Sequence, residues 1–312
     1  MALDDATAGF LAQMAESGMK PLHEMTPEEA RGLGGALRDM YGPGPDVARV
    51  VDETVPVAGG SVPVRILAPE NPRAVIVYYH GGGWVIGSRD ETDTLARKMV
   101  ERTGAAVVLV DYRLAPEHRY PTAVEDSWAA LLWTVRHLEE QGLALPLIVS
   151  GDSAGGNLAA IMAQRAKAEN GPAIALQVLI YPVTDADLDN ASYSDPANQL
   201  MLSRDSMVWF WDHYVPDRAA RQQPEVSPLQ ASDLSGLPPA VVLTAEHDVL
   251  CDEGEAYAEK LRAAGVPVQS RRFDGQMHGF FTMVNVLPGA AAGLEYAAEQ
   301  IDRHLAEHNQ PA

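Results

Sequence analysis

Short apolar segments alternate with amphipathic stretches along most of the chain. The segments that predict strands are residues 47–57, 62–67, 74–79, 105–110, 145–149, 174–179, 240–244 and 268–273. Helical periodicity marks residues 92–102, 123–137, 158–168 and 290–306. Strands that alternate with helices predict an α/β fold, in which helices flank both faces of a mostly parallel central sheet. The first two strands, on either side of Gly59 and Gly60, predict an antiparallel hairpin.

Two parts of the chain do not follow this alternation. Residues 1–45 have helical character, with a capping box at Thr26 to Glu29, and end in the breaker run 41–45. Residues 185–228 contain little strand signal, and one predicted helix face carries Met207, Phe210, Trp211 and Tyr214. We predict that these two parts form a helical cap over a core made of residues 46–184 and 229–312. The aromatic face also fits a plain packing stripe, and the pattern leaves both interpretations open.

Composition and charge narrow the possible partners. The 312 residues are 46% hydrophobic and 21% charged, as is typical of globular proteins. A formal net charge of −20 argues against nucleic acid, whose phosphates would be repelled. The first residues are acidic where a signal peptide is basic, and no run of about 20 apolar residues predicts a membrane span. One cysteine, Cys251, cannot form an intramolecular disulfide. We therefore expect a cytoplasmic protein without a membrane partner.

The strand at 145–149 runs into Gly151-Asp152-Ser153-Ala154-Gly155, and a helical segment follows. A G-x-S-x-G turn between strand and helix holds its serine in a strained conformation, with the hydroxyl exposed above the sheet. The alternative is a glycine-rich turn in which Ser153 only caps the helix. As a nucleophile, Ser153 would need a base, and the base would need an acid to orient it.

Catalytic groups of open α/β sheets sit at the carboxyl ends of strands, and this rule selects the candidates. His278 comes directly after the last predicted strand, in a loop between Gly275 and Gly279. Asp248 follows the strand at 240–244, and the order Ser153, Asp248, His278 is that of α/β-hydrolases. Glu246 and Asp274 are rival acids, whereas Asp252 is typical of a helix N-cap.

A glycine-rich loop, His80-Gly81-Gly82-Gly83-Trp84, follows the strand at 74–79. Backbone N–H groups of such a loop can stabilise a tetrahedral oxyanion, and we predict Gly81, Gly82 and Ala154 as the donors. A phosphate-binding loop is the competing interpretation, but no Gly-Lys-Ser/Thr follows. Apart from His304 and His308 in the C-terminal helical segment, which we expect to be solvated, histidines and carboxylates show no metal-ligand spacing, so we expect no metal.

Together these segments resemble bacterial hormone-sensitive-lipase-like carboxylesterases (family IV) of the α/β-hydrolase superfamily. The motifs are HGGGW at 80–84, DYRLAPEHRYP at 111–121, GDSAGGN at 151–157, TAEHD through DEG at 244–254 and MHGF at 277–280. The resemblance extends from about residue 45 to residue 308. It implies an α/β-hydrolase fold with a helical cap, and the same triad and oxyanion donors as above. Cys251 stands where the family often has arginine or another polar residue.

The resemblance implies a serine carboxylesterase that hydrolyses short- to medium-chain acyl or aryl esters through an acyl-enzyme, without a cofactor. Its partner would be a small-molecule ester, and relatives of this kind often form homodimers. Because the same triad serves other acyl transfers, an amidase or lactonase is the alternative activity. A non-catalytic ligand-binding receptor of the same fold is a further alternative, although His278 argues against it.

Overall fold

The computed structural model describes residues 2–308. Met1, which we assigned to the cap, and residues 309–312, which we assigned to the core, lie outside the described residues. The strands are β1 Arg49–Val57, β2 Gly60–Ala68, β3 Val75–Tyr79, β4 Ala106–Val110, β5 Leu147–Asp152, β6 Ile174–Ile180, β7 Ala240–His247 and β8 Val268–Met277. The helices are α1 Asp5–Glu16, α2 Pro27–Arg31, α3 Gly34–Tyr41, α4 Arg89–Thr103, α5 Thr122–Glu140, α6 Ala154–Ala168, α7 Ala191–Ser194, α8 Arg204–Tyr214, α9 Cys251–Ala263 and α10 Pro288–His308.

One eight-stranded sheet has the order β1-β2-β4-β3-β5-β6-β7-β8. Strands β3 to β8 are mutually parallel, and β2 pairs antiparallel with both β1 and β4. The predicted α/β fold with a mostly parallel sheet and an antiparallel first hairpin is therefore confirmed. In this arrangement the carboxyl ends of β3, β5, β6, β7 and β8 open on one edge of the sheet, where α/β proteins place their sites.

Apolar side chains alternate between the two faces of the sheet. In β3, Val75, Val77 and Tyr79 join a core beneath α5, α6 and α9, whereas Ile76 and Tyr78 join a second core beneath α4 and α10. All five side chains of β3 are buried, as expected for a strand covered on both faces. The two cores fix the sheet rigidly, and this rigidity positions the loops at its carboxyl edge.

The largest difference from the predicted strands is at β8. We expected a strand over 268–273, and β8 continues to Met277. A register shift in β7 between Ala245 and His247 allows His247 to pair with Met277. The extension carries the chain to the position immediately before His278. Alternating hydrophobicity could not reveal it, because Asp274, Gly275 and Gln276 interrupt the apolar pattern.

Helices α1 to α3 precede the sheet, and α7 and α8 lie between β6 and β7. The N-cap of helix α8 is Ser203, whose hydroxyl accepts a hydrogen bond from the Ser206 N–H. Asp4 caps α1 in the same way, and its N–H donates to the carbonyl of Gly275 near the end of β8. Within residues 2–308, no helix is long and apolar enough to cross a membrane.

Candidate active site

The turn between β5 and α6 holds Ser153 in a conformation that L-residues rarely adopt, with φ 55° and ψ −118°. Its N–H donates to the carbonyl of Ile180, and its own carbonyl accepts from Asn157 and Val183. Gly155 lies so close to the β3 carbonyl of Tyr79 that a Cβ there would collide with it. The strain at Ser153 is thus maintained by backbone contacts on both sides, as a nucleophile elbow requires.

The structure brings the three predicted side chains together. His278 Nε2 lies 3.0 Å from Ser153 Oγ, and His278 Nδ1 lies 2.7 Å from Asp248 Oδ2. Asp248 is completely buried, and its second oxygen accepts the Leu250 N–H at 2.9 Å. An ionised carboxylate only accepts hydrogen bonds, so Nδ1 carries the imidazole proton and Nε2 is free to accept from Ser153. The contact follows from the sheet register: His247 pairs with Met277, so the next residues, Asp248 and His278, leave adjacent strands side by side.

The rival acids lie elsewhere. The carboxylate of Glu246 accepts the Gly275 N–H, and exposed Asp274 lies 3.4 Å from Arg272. Asp252 is not the N-cap that its sequence predicted, because α9 already begins at Cys251 and Leu250 occupies the cap position. Its carboxylate instead accepts a hydrogen bond from the Ser192 N–H. Asp248 is thus the carboxylate in contact with His278.

The glycine loop requires one correction. The N–H of Gly81 donates to Asp152 Oδ1 at 3.0 Å, so this predicted oxyanion donor is already engaged. Within residues 2–308, the N–H groups of Gly82, Gly83 and Ala154 make no hydrogen bond. Gly83 therefore replaces Gly81 in the candidate donor set. The sequence could not distinguish the three glycines, because the choice depends on a side chain from another strand.

Asp152 itself is buried beneath this loop. Besides the Gly81 N–H, its Oδ1 accepts the hydroxyl of Tyr78 at 2.7 Å. Burial raises the pKa of the Asp152 carboxyl, and the hydrogen bond from Tyr78 counteracts part of that increase.

Helix α8 covers the loop from above. The ring of Phe210 occupies the space in which a Cβ at Gly83 would lie. Trp84 stacks on Tyr214 with ring centroids 4.3 Å apart, and the ring of Trp211 is 4.7 Å away. The aromatic face predicted for this helix therefore packs directly on the glycine loop. This face is therefore a packing stripe, and the same packing places it over the glycine loop.

Tyr181 is a site residue that the sequence analysis missed. It directly follows β6, has a φ of 33° and places its ring 4.6 Å from the ring of His278. The rule that selected Asp248 and His278 would have found Tyr181 as well, since it too lies at the carboxyl end of a parallel strand.

Comparison with known proteins agrees with this geometry. A family model described as an α/β-hydrolase fold matches residues 76–282. The carboxylesterase NlhH of Mycobacterium tuberculosis is 44% identical over 78% of this chain and 79% of that protein. The ethyl acetate hydrolase of Pseudomonas putida is 37% identical over 98% of this chain and 100% of that protein.

Solved structures extend the similarity to the whole fold. A thermostable esterase from Pseudomonas putida superposes with a TM-score of 0.90 over 97% of this chain and 98% of that chain, at 39% identity. A hyperthermophilic esterase from the archaeon Pyrobaculum calidifontis has a TM-score of 0.90 at 36% identity, over 97% and 99% of the two chains. The chain therefore belongs to the hormone-sensitive-lipase-like esterase family of the α/β-hydrolase superfamily.

Proposed function

We propose that the protein is a serine carboxylesterase with Ser153 as nucleophile, His278 as base and Asp248 as the acid that orients it. The observation that carries the proposal is the continuous chain from Ser153 Oγ through the His278 ring to Asp248, at 3.0 Å and 2.7 Å. Both distances are within the range of hydrogen bonds that transfer or hold a proton.

In the first half of the reaction, Ser153 Oγ attacks the ester carbonyl while His278 Nε2 takes the hydroxyl proton. The carbonyl oxygen becomes an oxyanion, and the N–H groups of Gly82, Gly83 and Ala154 are the donors that stabilise it. The C–O bond then breaks, and the imidazolium returns its proton to the departing alcohol. Asp248 stabilises the imidazolium between these two events. Water deacylates Ser153 by the same sequence and releases the acid.

The substrate class is an ester with a small acyl group. The relatives named above are a carboxylesterase and an ethyl acetate hydrolase, and an arylesterase of Saccharolobus solfataricus is 33% identical over 90% of this chain. Ethyl acetate is a short-chain ester and an arylesterase acts on aryl esters, so these names support short- to medium-chain acyl and aryl esters as the proposed class. A helical cap of residues 1–45 and 185–228 would limit the acyl group, and the packing of Phe210 on Gly83 supports this division.

A cytoplasmic location belongs to the same proposal. It is supported by the single cysteine, Cys251, which is buried and whose pKa burial raises to about 12. Such a thiol is unreactive near neutral pH and forms no disulfide within the chain.

Covalent labelling tests the proposed nucleophile. An organophosphate such as paraoxon should inactivate the enzyme at a stoichiometry of one, and peptide mass spectrometry should find the diethylphosphoryl group on Ser153. Hydrolysis of p-nitrophenyl butyrate should be lost in Ser153→Ala. Full ester turnover by that variant would overturn the assignment. Equal rates on the matched butyryl anilide would replace the esterase with an amidase on the same triad.

A further inference from the structure

Asp152 has an environment that esterase chemistry alone does not require. The residue is 7% exposed, and its Oδ1 receives two hydrogen bonds, from the Tyr78 hydroxyl at 2.7 Å and from the Gly81 N–H at 3.0 Å. Gly81 packs so closely that a Cβ there would collide with the carboxylate. A carboxylate in this position needs compensation, because burying an ionisable group without partners is costly.

The position of Asp152 in the chain gives these contacts a specific consequence. Asp152 is the residue before the nucleophile, and Gly81 is the residue before Gly82, the first candidate oxyanion donor. The hydrogen bond between them therefore joins the end of β5 to the loop after β3. This hydrogen bond lies one residue from the proposed nucleophile, Ser153, and one residue from the candidate oxyanion donor Gly82. Tyr78, from β3, holds the same oxygen from a second direction.

We propose that Asp152 is a positioning residue that fixes the oxyanion loop at the correct distance from Ser153. The inference rests on the proposed function. Ser153 is held at its φ of 55° by the elbow, but within residues 2–308 no hydrogen bond joins the elbow backbone to the N–H groups of Gly82 and Gly83. Oxyanion donors act only when they are placed before the reaction begins, since reorganisation would offset their benefit. The Asp152 side chain adds a hydrogen bond to the oxyanion loop that the backbone of the elbow does not make.

The acceptor oxygen, rather than the charge, carries this role. A negative charge close to a developing oxyanion would destabilise that oxyanion. The titratable groups that surround Asp152 from other elements are Tyr78, Tyr112, Tyr181, His80 and His278. An amide oxygen can accept the same two hydrogen bonds without the charge. Asp152→Asn is therefore the informative conservative variant, and Asp152→Ala removes the acceptor.

The test compares kcat per active site, with sites counted by organophosphate titration. For Asp152→Ala we expect kcat on p-nitrophenyl butyrate to fall about 100-fold, the loss typical of one oxyanion donor, with KM within about threefold of wild type. Inhibition by a phenylboronic acid, which forms a tetrahedral adduct on serine, should weaken about 100-fold in parallel. Asp152→Asn should restore kcat and boronate affinity to within about threefold, even where its melting temperature is lower.

Two further variants separate positioning from stability. In Gly81→Ala the new Cβ collides with the Asp152 carboxylate and displaces it from the oxyanion loop. This variant should therefore reproduce the kcat loss although Asp152 is still present. Asp126→Asn disturbs another buried carboxylate, in α5, which accepts hydrogen bonds from the Arg113 side chain. It should lower the melting temperature and leave kcat per titrated site unchanged. Should Asp152→Ala not fold, Asp152→Ser ends one bond short of both donors and is expected to show the same loss.

A kcat per titrated site within about threefold of wild type in Asp152→Ala and Gly81→Ala would overturn the proposal. Equal losses in Asp152→Asn and Asp152→Ala would also overturn it, because the charge and not the acceptor would then matter. Failure of the proposed function has a different signature. In that case organophosphate would not label Ser153 in the wild-type enzyme at all.

Discussion

The lower and upper sides of the candidate site are built by different kinds of contact. The lower side, comprising the elbow and the loops after β3, β7 and β8, is held by backbone hydrogen bonds and by close approaches at glycine. The upper side, helix α8 and residues 185–189, is held by aromatic packing and surface ion pairs such as Arg204 with Asp189. A cavity of about 720 Å³, with Asp185, Arg218 and Arg221 in its walls, borders the upper side. From this contrast we expect the reaction chemistry to depend on the lower side and substrate selection to depend on the upper side.

The largest effect on kcat should come from replacing Asp248, the proposed acid on the lower side. In Asp248→Asn the amide can donate to Nδ1, which favours the wrong tautomer of His278, and kcat should fall about 10⁴-fold. The measurement is hydrolysis of p-nitrophenyl butyrate by titrated enzyme. Asp274→Asn is the matched control, because it changes a second aspartate near His278 in sequence that lies in an exposed contact with Arg272. A comparable loss in the control would reassign the acid.

A smaller effect should follow from disturbing the elbow backbone. In Gly155→Ala the new Cβ would displace the Tyr79 carbonyl, so the elbow must shift. A shift of about 1 Å costs about 100-fold in kcat, and overpacking of this kind costs about 3 kcal/mol in the free energy of unfolding. Urea denaturation and steady-state kinetics measure the two. Gly9→Ala, in the open middle of α1, should leave kcat unchanged and stabilise the protein by about 0.5–1 kcal/mol. Unchanged kcat in Gly155→Ala would contradict the rigid elbow.

The upper side should respond in selectivity more than in rate. Phe210→Ala opens space beside Gly83, and we expect the octanoate-to-butyrate ratio of kcat/KM to rise about tenfold. Acyl-chain profiles with p-nitrophenyl esters measure this ratio. Trp133→Ala, which removes an aromatic ring stacked on His137 in α5, should leave the profile unchanged. The same change of profile in Gly155→Ala would erase the distinction between the two sides.

The smallest effect on rate is expected where the two sides meet. Glu253 Oε1 accepts the N–H groups of Thr184 and Asp185, where the chain leaves the sheet for the upper side, and burial raises the pKa of Glu253 well above its usual value. A raised pKa means that the folded protein keeps a proton that the unfolded chain releases. Stability from this group is complete below the unfolded pKa and is lost as pH rises toward the folded one.

Glu253→Gln removes that dependence. The difference in unfolding free energy, variant minus wild type, should increase above about pH 4.5 by about 1.4 kcal/mol per pH unit until Glu253 ionises in the folded state. Urea denaturation from pH 4 to pH 8 measures it. Glu139→Gln, at an exposed position in α5, should give a difference that does not vary with pH. A constant difference for Glu253→Gln would mean that the buried carboxyl is ionised throughout.

The same contrast explains how much could be predicted from sequence. The alternation of strands and helices indicated the parallel sheet. The G-x-S-x-G turn indicated Ser153, and the carboxyl-edge rule selected Asp248 and His278, which the structure brings into contact with it. Their catalytic roles stay predictions. The choice of Gly81 as an oxyanion donor was wrong, because the Asp152 carboxylate engages its N–H. That pairing joins two strands that are distant in sequence, and no local pattern reports it.

The extension of β8 was missed for a related reason. Its pairing depends on the irregularity in β7 between Ala245 and His247, which appears only when the two strands are side by side. The hydrogen bond from the Asp4 N–H to the Gly275 carbonyl likewise joins the N-terminal region to β8. Local periodicity therefore predicted the elements, whereas contacts between distant elements decided the details of the site.

Because the sheet adds β8 at its outer edge, the base of the proposed triad arrives with the last strand of the chain. A polypeptide that is still being synthesised carries Ser153 125 residues before it carries His278. We therefore expect Ser153 to lack its proposed base during translation until β8 has joined the sheet. On the proposed function, hydrolytic activity would begin only once this last strand has docked.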